Sequence, residues 1–247
     1  ASLIRRACSD NEVCFVSIFV NPTQFNNAED LQKYPRTLEK DAQLLESLGV
    51  HFVFAPTPEE MYSAEEMAAP FAFDFNGLDQ VMEGKMRPGH FNGVVQVVSR
   101  LFELVRPTRA YFGEKDFQQL AIIRHMVERS TMAPLFQDIQ IIGCPIVREK
   151  SGLAMSSRNE RLSEAEKQTA VAISQTLFSS MDWAKSAPVA AVQQRVIDTI
   201  NAVDGLQVEY YDIVDKDTLQ PTDTWHNAVG CVTVFCGPVR LIDNIQY

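Results

Sequence analysis

Histidine and paired cysteine are scarce in this 247-residue chain, and that scarcity closes several routes to chemistry. The four histidines are His51, His90, His125 and His226. No H-E-x-x-H run and no Ser/His/Asp ordering occurs, so neither a zincin nor a triad hydrolase is supported. The five cysteines, Cys8, Cys14, Cys144, Cys231 and Cys236, are odd in number and lack C-x-x-C spacing, which excludes a disulfide framework and a zinc knuckle. Cys231 and Cys236 fall at an odd offset in a strand-like run, on opposite faces, where they cannot share a metal. All five read as small buried hydrophobes in a reducing compartment. No stretch approaches the ~20 uninterrupted apolar residues of a membrane helix. Basic residues are outnumbered, 22 Lys+Arg against 32 Asp+Glu, which argues against a nucleic-acid surface. A small anionic ligand needs only a local positive pocket and stays open. No secretory signal is visible and a cytoplasmic protein is expected, although the chain begins at Ala1 and its start is expected to lie upstream.

What is present is an ordinary globular composition, 46% apolar, in a chain long enough to bury roughly 70% of its unfolded surface. The first half alternates strand and helix patterns. Val13–Val20 is a near-continuous apolar run, expected as a strand covered on both faces. Thr37–Leu48 carries Leu38, Ala42, Leu45 and Leu48 on one helical face, with Thr37 as N-cap and Gly49 closing the helix. His51–Ala55 is a second strand, so these segments form a βαβ unit with parallel strands. A Gly/Pro-rich connection, Glu83–Gly93, precedes a helix at Val94–Val105 whose core stripe is Val94, Val97, Val98, Leu101 and Val105. Strand Arg109–Phe112, helix Phe117–Arg129 and strand Asp138–Ile142 continue the alternation, predicting a parallel α/β domain. Past Cys144 the order changes. Helices at Glu164–Met181 and Val189–Val203 precede strands at Gln207–Val214, Ala228–Phe235 and Val239–Ile242, which predicts a smaller α+β domain with an antiparallel sheet. The division falls in the loop Arg148–Asn159, giving domains 1–147 and 148–247.

In open α/β sheets, ligands bind beyond the carboxyl ends of strands, where helix N-termini present free N–H groups. That rule selects Gly113-Glu114-Lys115-Asp116, where a glycine admits a ligand to the backbone and a lysine offers a point charge for phosphate. Asp116 followed by Gln119 also fits a capping box, a structural use of both. Asn21-Pro22-Thr23-Gln24-Phe25 ends the first strand with amides that could orient a hydroxyl or carboxylate, or simply start a turn. Met155-Ser156-Ser157-Arg158-Asn159 offers two hydroxyls and a guanidinium that could wrap a phosphate, or merely populate a polar loop. His51 and His125 sit in apolar settings and read as structural. His226 lies in a polar turn, and His90 shares a Gly/Pro loop with Arg87.

Together these segments resemble one family. VSIFVNPTQF (Val16–Phe25), YPRTLEKD (Tyr34–Asp41), EGKMRPGHFNGV (Glu83–Val94), YFGEKDFQQL (Tyr111–Leu120), GLAMSSRN (Gly152–Asn159) and RLIDN (Arg240–Asn244) occur in the order found in pantoate–β-alanine ligases. The resemblance spans essentially the whole chain. It implies a Rossmann-like domain with a smaller C-terminal α+β lid domain, a homodimer, and ATP-dependent condensation of pantoate with β-alanine through a pantoyl-adenylate, releasing AMP and pyrophosphate with Mg²⁺. It implies that Gln24 and Gln119 orient pantoate, and that Gly113, Glu114, Lys115 and Asp116 form an ATP-binding turn with Lys115 on the phosphates. Met155, Ser156, Ser157 and Arg158 would close over the triphosphate, Lys115, Ser156 and Arg158 being the catalytic set. Val147 would contact adenine, and Asp41 is a candidate magnesium ligand.

One element of the family's pattern does not occur in this sequence. The family opens with a strand leading to a His-x-Gly-His motif, and none of the four histidines fits it. Ala1–Cys8 resembles the end of the helix after that motif. A central strand lost from a sheet would cost more than the ~5–15 kcal/mol by which domains are stable. The expectation is therefore an omitted upstream segment, with residues 1–247 alone insoluble or inactive. The rival expectations are a catalytically dead nucleotide-binding or dimerising remnant, and a nucleotidyltransferase of the same fold class.

Overall fold

The apolar run at 13–20 forms a strand only at its centre. In the computed structural model, which describes residues 1–24, 31, 32, 34, 36–69 and 71–247, β1 is Phe15–Ser17. It pairs in parallel with β2, Phe52–Phe54, placing Phe15 opposite Phe52 and Ser17 opposite Phe54. The expected parallel pairing is observed; the expected cover is not. Phe15 is 40% and Phe52 58% exposed. Between these strands α2, Leu38–Ser47, ends in Gly49 at φ 78°, where Val50 N–H donates to Leu45 O and Gly49 N–H to Glu46 O, a Schellman closure. At its start Thr37 takes the N-cap place, but its hydroxyl donates to Asp41 Oδ2 at 3.2 Å and caps no backbone N–H.

Contacts divide the chain into two compact units. The first comprises Ala1–Asp79, Glu83–Phe112 and Ile122–Cys144; the second comprises Gln80–Met82, Gly113–Ala121 and Pro145–Tyr247. In the first, α1 (Ser2–Asp10) is held at its C-terminal end by Arg109, whose Nη1 donates to Asp10 O at 2.9 Å. Two short helices, α3 (Pro58–Met61) and α4 (Ala64–Ala68), each start with a capping box, Thr57 with Glu60 and Ser63 with Glu66. Helix α5 (Met82–Met86) occupies part of the segment expected as a connection, and α6 runs His90–Val105, four residues earlier than periodicity indicated. The break between them is Gly89, in the left-handed region at φ 81°. The buried stripe of α6 includes Phe91, Val94, Val95, Val98 and Phe102, whereas Leu101 and Val105 are half-buried. Phe102 stacks edge-on to Phe112 and Phe136 and closes this core. Strand β3 (Arg109–Gly113) neighbours β4 (Gln140–Cys144); α7 (Phe117–Glu128) and α8 (Ala133–Phe136) lie between them in the chain.

The second unit carries the antiparallel sheet. After α9 (Glu164–Ala184) and α10 (Val189–Asn201) come β5 (Leu206–Asp215), β6 (Ala228–Cys236) and β7 (Val239–Gln246), in spatial order β5-β6-β7. Leu177, Val196, Ile200 and Val234 are wholly enclosed in its core. Four cysteines are buried and none of the five forms a disulfide; Cys8 is half-buried, against the expectation of burial for all five. Among the described residues no helix is long and apolar enough to cross a membrane. The fold is mixed α/β with a separate antiparallel-sheet domain.

Candidate active site

Strand β3 ends in a turn that α7 follows directly. Asp116 accepts Leu120 N–H on its carbonyl at 3.0 Å, the first helical bond, and so stands at the N-cap. Its own N–H reaches back to Gly113 O at 3.3 Å. Gly113 is not in the left-handed region, and a Cβ built on it would meet nothing within 4 Å. Neither conformation nor packing requires glycine there, so the space beside it is open to a ligand. Lys115 is half-buried. Its turn is gripped from behind by Asn244 on β7, whose Nδ2 donates to Glu114 O at 2.9 Å and Lys115 O at 3.0 Å. Gln119 sits half-buried on the first turn of α7, while the buried Gln118 donates to Val81 O at 2.9 Å.

The segment expected as an open loop is a tight hairpin followed by a turn of 3-10 helix. Arg148 and Ala154 form an antiparallel bridge, Glu149 N–H donates to Leu153 O, and Met155 N–H to Val147 O at 2.9 Å. Gly152, at φ 99°, makes the bend. Ser156 then caps the 3-10 turn Ser157–Arg161, its hydroxyl accepting Arg158 N–H at 3.2 Å. Val147 and Met155 are exposed, at 42% and 55%, as a pair flanking the hairpin mouth. A small cavity in this unit is lined on its polar side by Lys115, Ser156, Asn159 and Asp243, and on its apolar side by Leu153, Ile173 and Leu241. Lys115 and Ser156, nominated from separate motifs, thus line one cavity. Gly113, Glu114, Asp116, Val147, Met155, Ser157 and Arg158 lie on the two segments that bring them there.

Three lining or supporting residues carry no assigned role in the sequence reading. Asn159 is 5% exposed; its Nδ2 donates to Glu149 Oε1 and Ala154 O, both at 3.0 Å, and its Oδ1 is buried with no partner among the described residues. Asp243, 5% exposed, takes Arg148 on both carboxylate oxygens, at 2.6 and 2.9 Å, and Asn244 stands beside it. A signal was available. Two adjacent polar residues inside an apolar strand run put one on each face, so at least one must find partners indoors.

Gln24 belongs to the first unit, in the 3-10 turn Pro22–Gln24 after β1. Phe25 of the same motif lies outside the described residues. The turn is fixed by α6. A Cβ on Gly93 would approach Thr23 O to 2.5 Å, so only glycine permits this closeness. Asn21, 1% exposed, donates to Gly93 O at 2.9 Å and accepts from Tyr62 Oη at 3.1 Å. Burial pushes the Tyr62 phenol up to about 12, opposed by a hydrogen bond with Thr23, so it remains a donor. His90 Nδ1 lies 2.7 Å from Gln24 O, and Arg87 Nη1 3.2 Å from His90 Nε2. A guanidinium only donates, so Nε2 accepts and Nδ1–H donates to Gln24 O. His51 and His125, read as structural, make structural contacts: Cys14 N–H donates to His51 Nδ1 at 3.1 Å, and His125 bonds Asp74 O and packs edge-on against Phe73. Asp41, in the first unit, accepts the Thr37 hydroxyl. Among the described residues no cluster of three His, Cys, Asp or Glu could hold a metal ion.

The family model described as Pantoate-beta-alanine ligase matches residues 1–246. The chain belongs to the pantoate–β-alanine ligase family. It is 58% identical over 250 residues to the pantothenate synthetase of Phocaeicola vulgatus, covering all of this chain and 86% of that protein. It is 50% identical over 249 residues to the pantothenate synthetase of Porphyromonas gingivalis, again 86% of that protein's length. Among solved structures, the pantothenate synthetase of Thermus thermophilus superposes with a TM-score of 0.91 at 41% identity, covering 99% of this chain and 87% of that one. A Francisella tularensis pantoate-beta-alanine ligase, solved with beta-gamma ATP and beta-alanine, superposes with a TM-score of 0.77 at 34% identity, over 99% and 83% of the two chains. The chain is therefore a ligase of this family, and the α/β fold with a separate antiparallel domain is the family's.

Proposed function

We propose that this enzyme joins pantoate to β-alanine in two steps at the expense of ATP. In the first, a pantoate carboxylate oxygen attacks the α-phosphorus and pyrophosphate leaves. In the second, the neutral amine of β-alanine attacks the acyl carbon of the pantoyl-adenylate, AMP leaves, and the amine proton is lost to solvent. The carboxylate needs this activation because its own leaving group would be oxide, whereas AMP departs readily. No covalent bond to the protein is required; orientation and charge neutralisation carry the rate. The observation that carries the reading is the convergence of Lys115 and Ser156 on one cavity, beside a Gly113 whose missing side chain leaves room for a ligand. The Francisella relative bound to beta-gamma ATP and beta-alanine supports both substrates.

In this reading Lys115 neutralises charge on the departing pyrophosphate, joined by Arg158, while Ser156 holds phosphate oxygens in line. Gly113 to Asp116 receive the triphosphate, over which Met155 to Arg158 close, and Val147, already exposed at the hairpin mouth, contacts adenine. Gln24 and Gln119 orient pantoate through their carboxamides. Residues 148–247 act as the lid, whose closure keeps water from the mixed anhydride. Mg²⁺ would enter as the counter-ion of ATP and offset charge on its phosphates, with Asp41 as the carboxylate that would hold it. A homodimer in the cytoplasm completes the proposal; the exposed Val13, Phe15, Phe52 and Val53 around β1 and β2 support a covering partner.

The test is stoichiometric. The full-length gene product, given pantoate, β-alanine and ATP, should form pantothenate with equal AMP and pyrophosphate. Without β-alanine it should still exchange labelled pyrophosphate into ATP when pantoate is present. Product without exchange would remove the adenylate, and no product would remove the reaction. Pantoate should also raise the melting temperature of the wild type but not of Gln119→Ala, with ATP binding unaltered. Equal loss of ATP binding would sink the pantoate assignment.

A further inference from the structure

Near its end strand β7 buries two adjacent polar residues, Asp243 and Asn244, at 5% and 4% exposure. Asn244 directs its amide nitrogen at two successive main-chain carbonyls, Glu114 O at 2.9 Å and Lys115 O at 3.0 Å. In a trans peptide the C=O of one residue and the N–H of the next point in opposite directions. Holding these two carbonyls therefore turns the N–H groups of Lys115 and Asp116 away from Asn244, and it fixes the stem from which the Lys115 ammonium extends. Asp243 reaches the other segment. Its Oδ1 accepts Asn244 N–H at 2.8 Å and Arg148 Nη2 at 2.9 Å, and Arg148 Nη1 also donates to Gly152 O at 3.3 Å. One strand end thus registers both the Lys115 turn and the hairpin that carries Ser156.

We propose that Asn244 is a positioning residue for Lys115, setting the ammonium and its turn against the hairpin segment through the paired carbonyl contacts. This rests on the reading of Lys115 as the phosphate-facing cation. The chemistry of the contact selects asparagine. Aspartate has the same shape but opposes two carbonyl oxygens with acceptors only, serine has one donor, and glutamine is a methylene too long. Neither Asn244 nor Asp243 touches the reacting atoms in this scheme; they act through Lys115 and the hairpin.

A double-mutant cycle in the full-length gene product tests it, with kcat measured per folded enzyme at saturating substrates. Asn244→Asp should lower kcat about 10²-fold, the cost of displacing a reacting group by about an ångström. The kcat/KM for β-alanine should not move, because the amine enters after Lys115 has acted. In a Lys115→Met background the same substitution should change kcat by no more than about twofold, since nothing is left to position. Equal fold losses in both backgrounds, or a lower melting temperature with unchanged kcat, would overturn the proposal. Asn244→Ser repeats the cycle should the aspartate variant fail to fold, and a chain that folds with neither makes Asn244 a fold residue, which also overturns it. A wild type that makes no pantothenate would instead remove the functional reading, so the two failures are distinguishable.

Discussion

The turn bearing Gln24 and the turn bearing Lys115 belong to different units and share no sequence motif, yet they are held alike. Each is gripped at main-chain carbonyls by a buried donor from elsewhere in its own unit: His90 on Gln24 O, and Asn244 on Glu114 O and Lys115 O. The difference lies in the donor. Asn244 is a neutral amide whose two contacts need no further support from a charge. His90 is backed by Arg87, which donates to its other nitrogen, stands 3.5 Å from Gln24 O itself and is tied to Glu83 across 3.6 Å. The Asn244 clamp is a single group, the His90 clamp a relay of three. A relay has more places to fail, and holding Glu114 O inward leaves the N–H of Lys115 facing away from Asn244, where a substrate oxygen could use it.

The largest effect separates the gripped side chain from its grip. Lys115→Ala should lower kcat by about 10²–10³-fold, the usual loss when one preorganised donor to a developing charge is removed. The melting temperature should stay close to wild type, because a half-buried lysine at a cavity edge contributes little packing. An unfolded variant would make Lys115 structural and break the parallel with Gln24. A smaller effect is expected from the relay. His90→Ala should raise the KM for pantoate about tenfold with the KM for ATP unchanged, and His90→Gln, which can still donate to a carbonyl, should recover part of the loss. Equal changes in both constants would mean that His90 acts on the fold as a whole and not on the Gln24 turn.

Much of this could be read from the chain, and the residues that escaped share a reason. Helix and strand placement in the second unit follows from clear 3.6- and 2-residue periods, so the boundaries of α9, α10 and β6 fall within three residues of those expected. The first unit was harder. Val13–Val20 is as apolar as β6, but Val229, Val232 and Val234 are at most 1% exposed whereas Val13 is 59%. An apolar pattern reports that a face is suited to cover; it does not report what supplies the cover. Lys115 could be nominated because a strand followed by Gly-x-Lys has a chemical reason at its spacing, whereas the paired hydroxyls beside arginine fit a polar loop equally well, and Ser156 was singled out by the family resemblance. Asp243 and Asn244 show in the sequence only as adjacent polar residues that need partners, and which partners they find is hidden because those lie 95 and 130 positions away. Long-range polar contacts leave no period behind. The start of α6 was missed for a local reason, since Gly89 reads as a breaker while His90 and Gly93 follow it at once into the helix.

The smallest effect comes from a clamp of the opposite polarity. Asp215 closes the turn after β5 by accepting, not donating: its Oδ1 takes the N–H groups of Asp217 and Thr218 at 3.0 and 2.9 Å, and its Oδ2 takes Asn227 Nδ2 at 2.8 Å. Such a clamp consumes the outward N–H groups that a donor clamp leaves available, which suits a turn with no ligand to hold. The Asn227 hydrogen bond, with those from Thr218 and Asp217, holds the Asp215 carboxyl below its ordinary 3.8, against some desolvation. A carboxyl lowered in the folded state contributes stability that is present above its unfolded value and is lost as pH falls through the folded one. Asp215→Asn should therefore cost about 0.2–1 kcal/mol near neutral pH, as exposed charge-assisted contacts do. The gap to wild type should close as pH falls below the ordinary 3.8. Melting curves of both proteins across that range decide it: a gap that persists at the acid end would show that Asp215 works by shape alone, and the contrast between donor and acceptor clamps would then lose its electrostatic half.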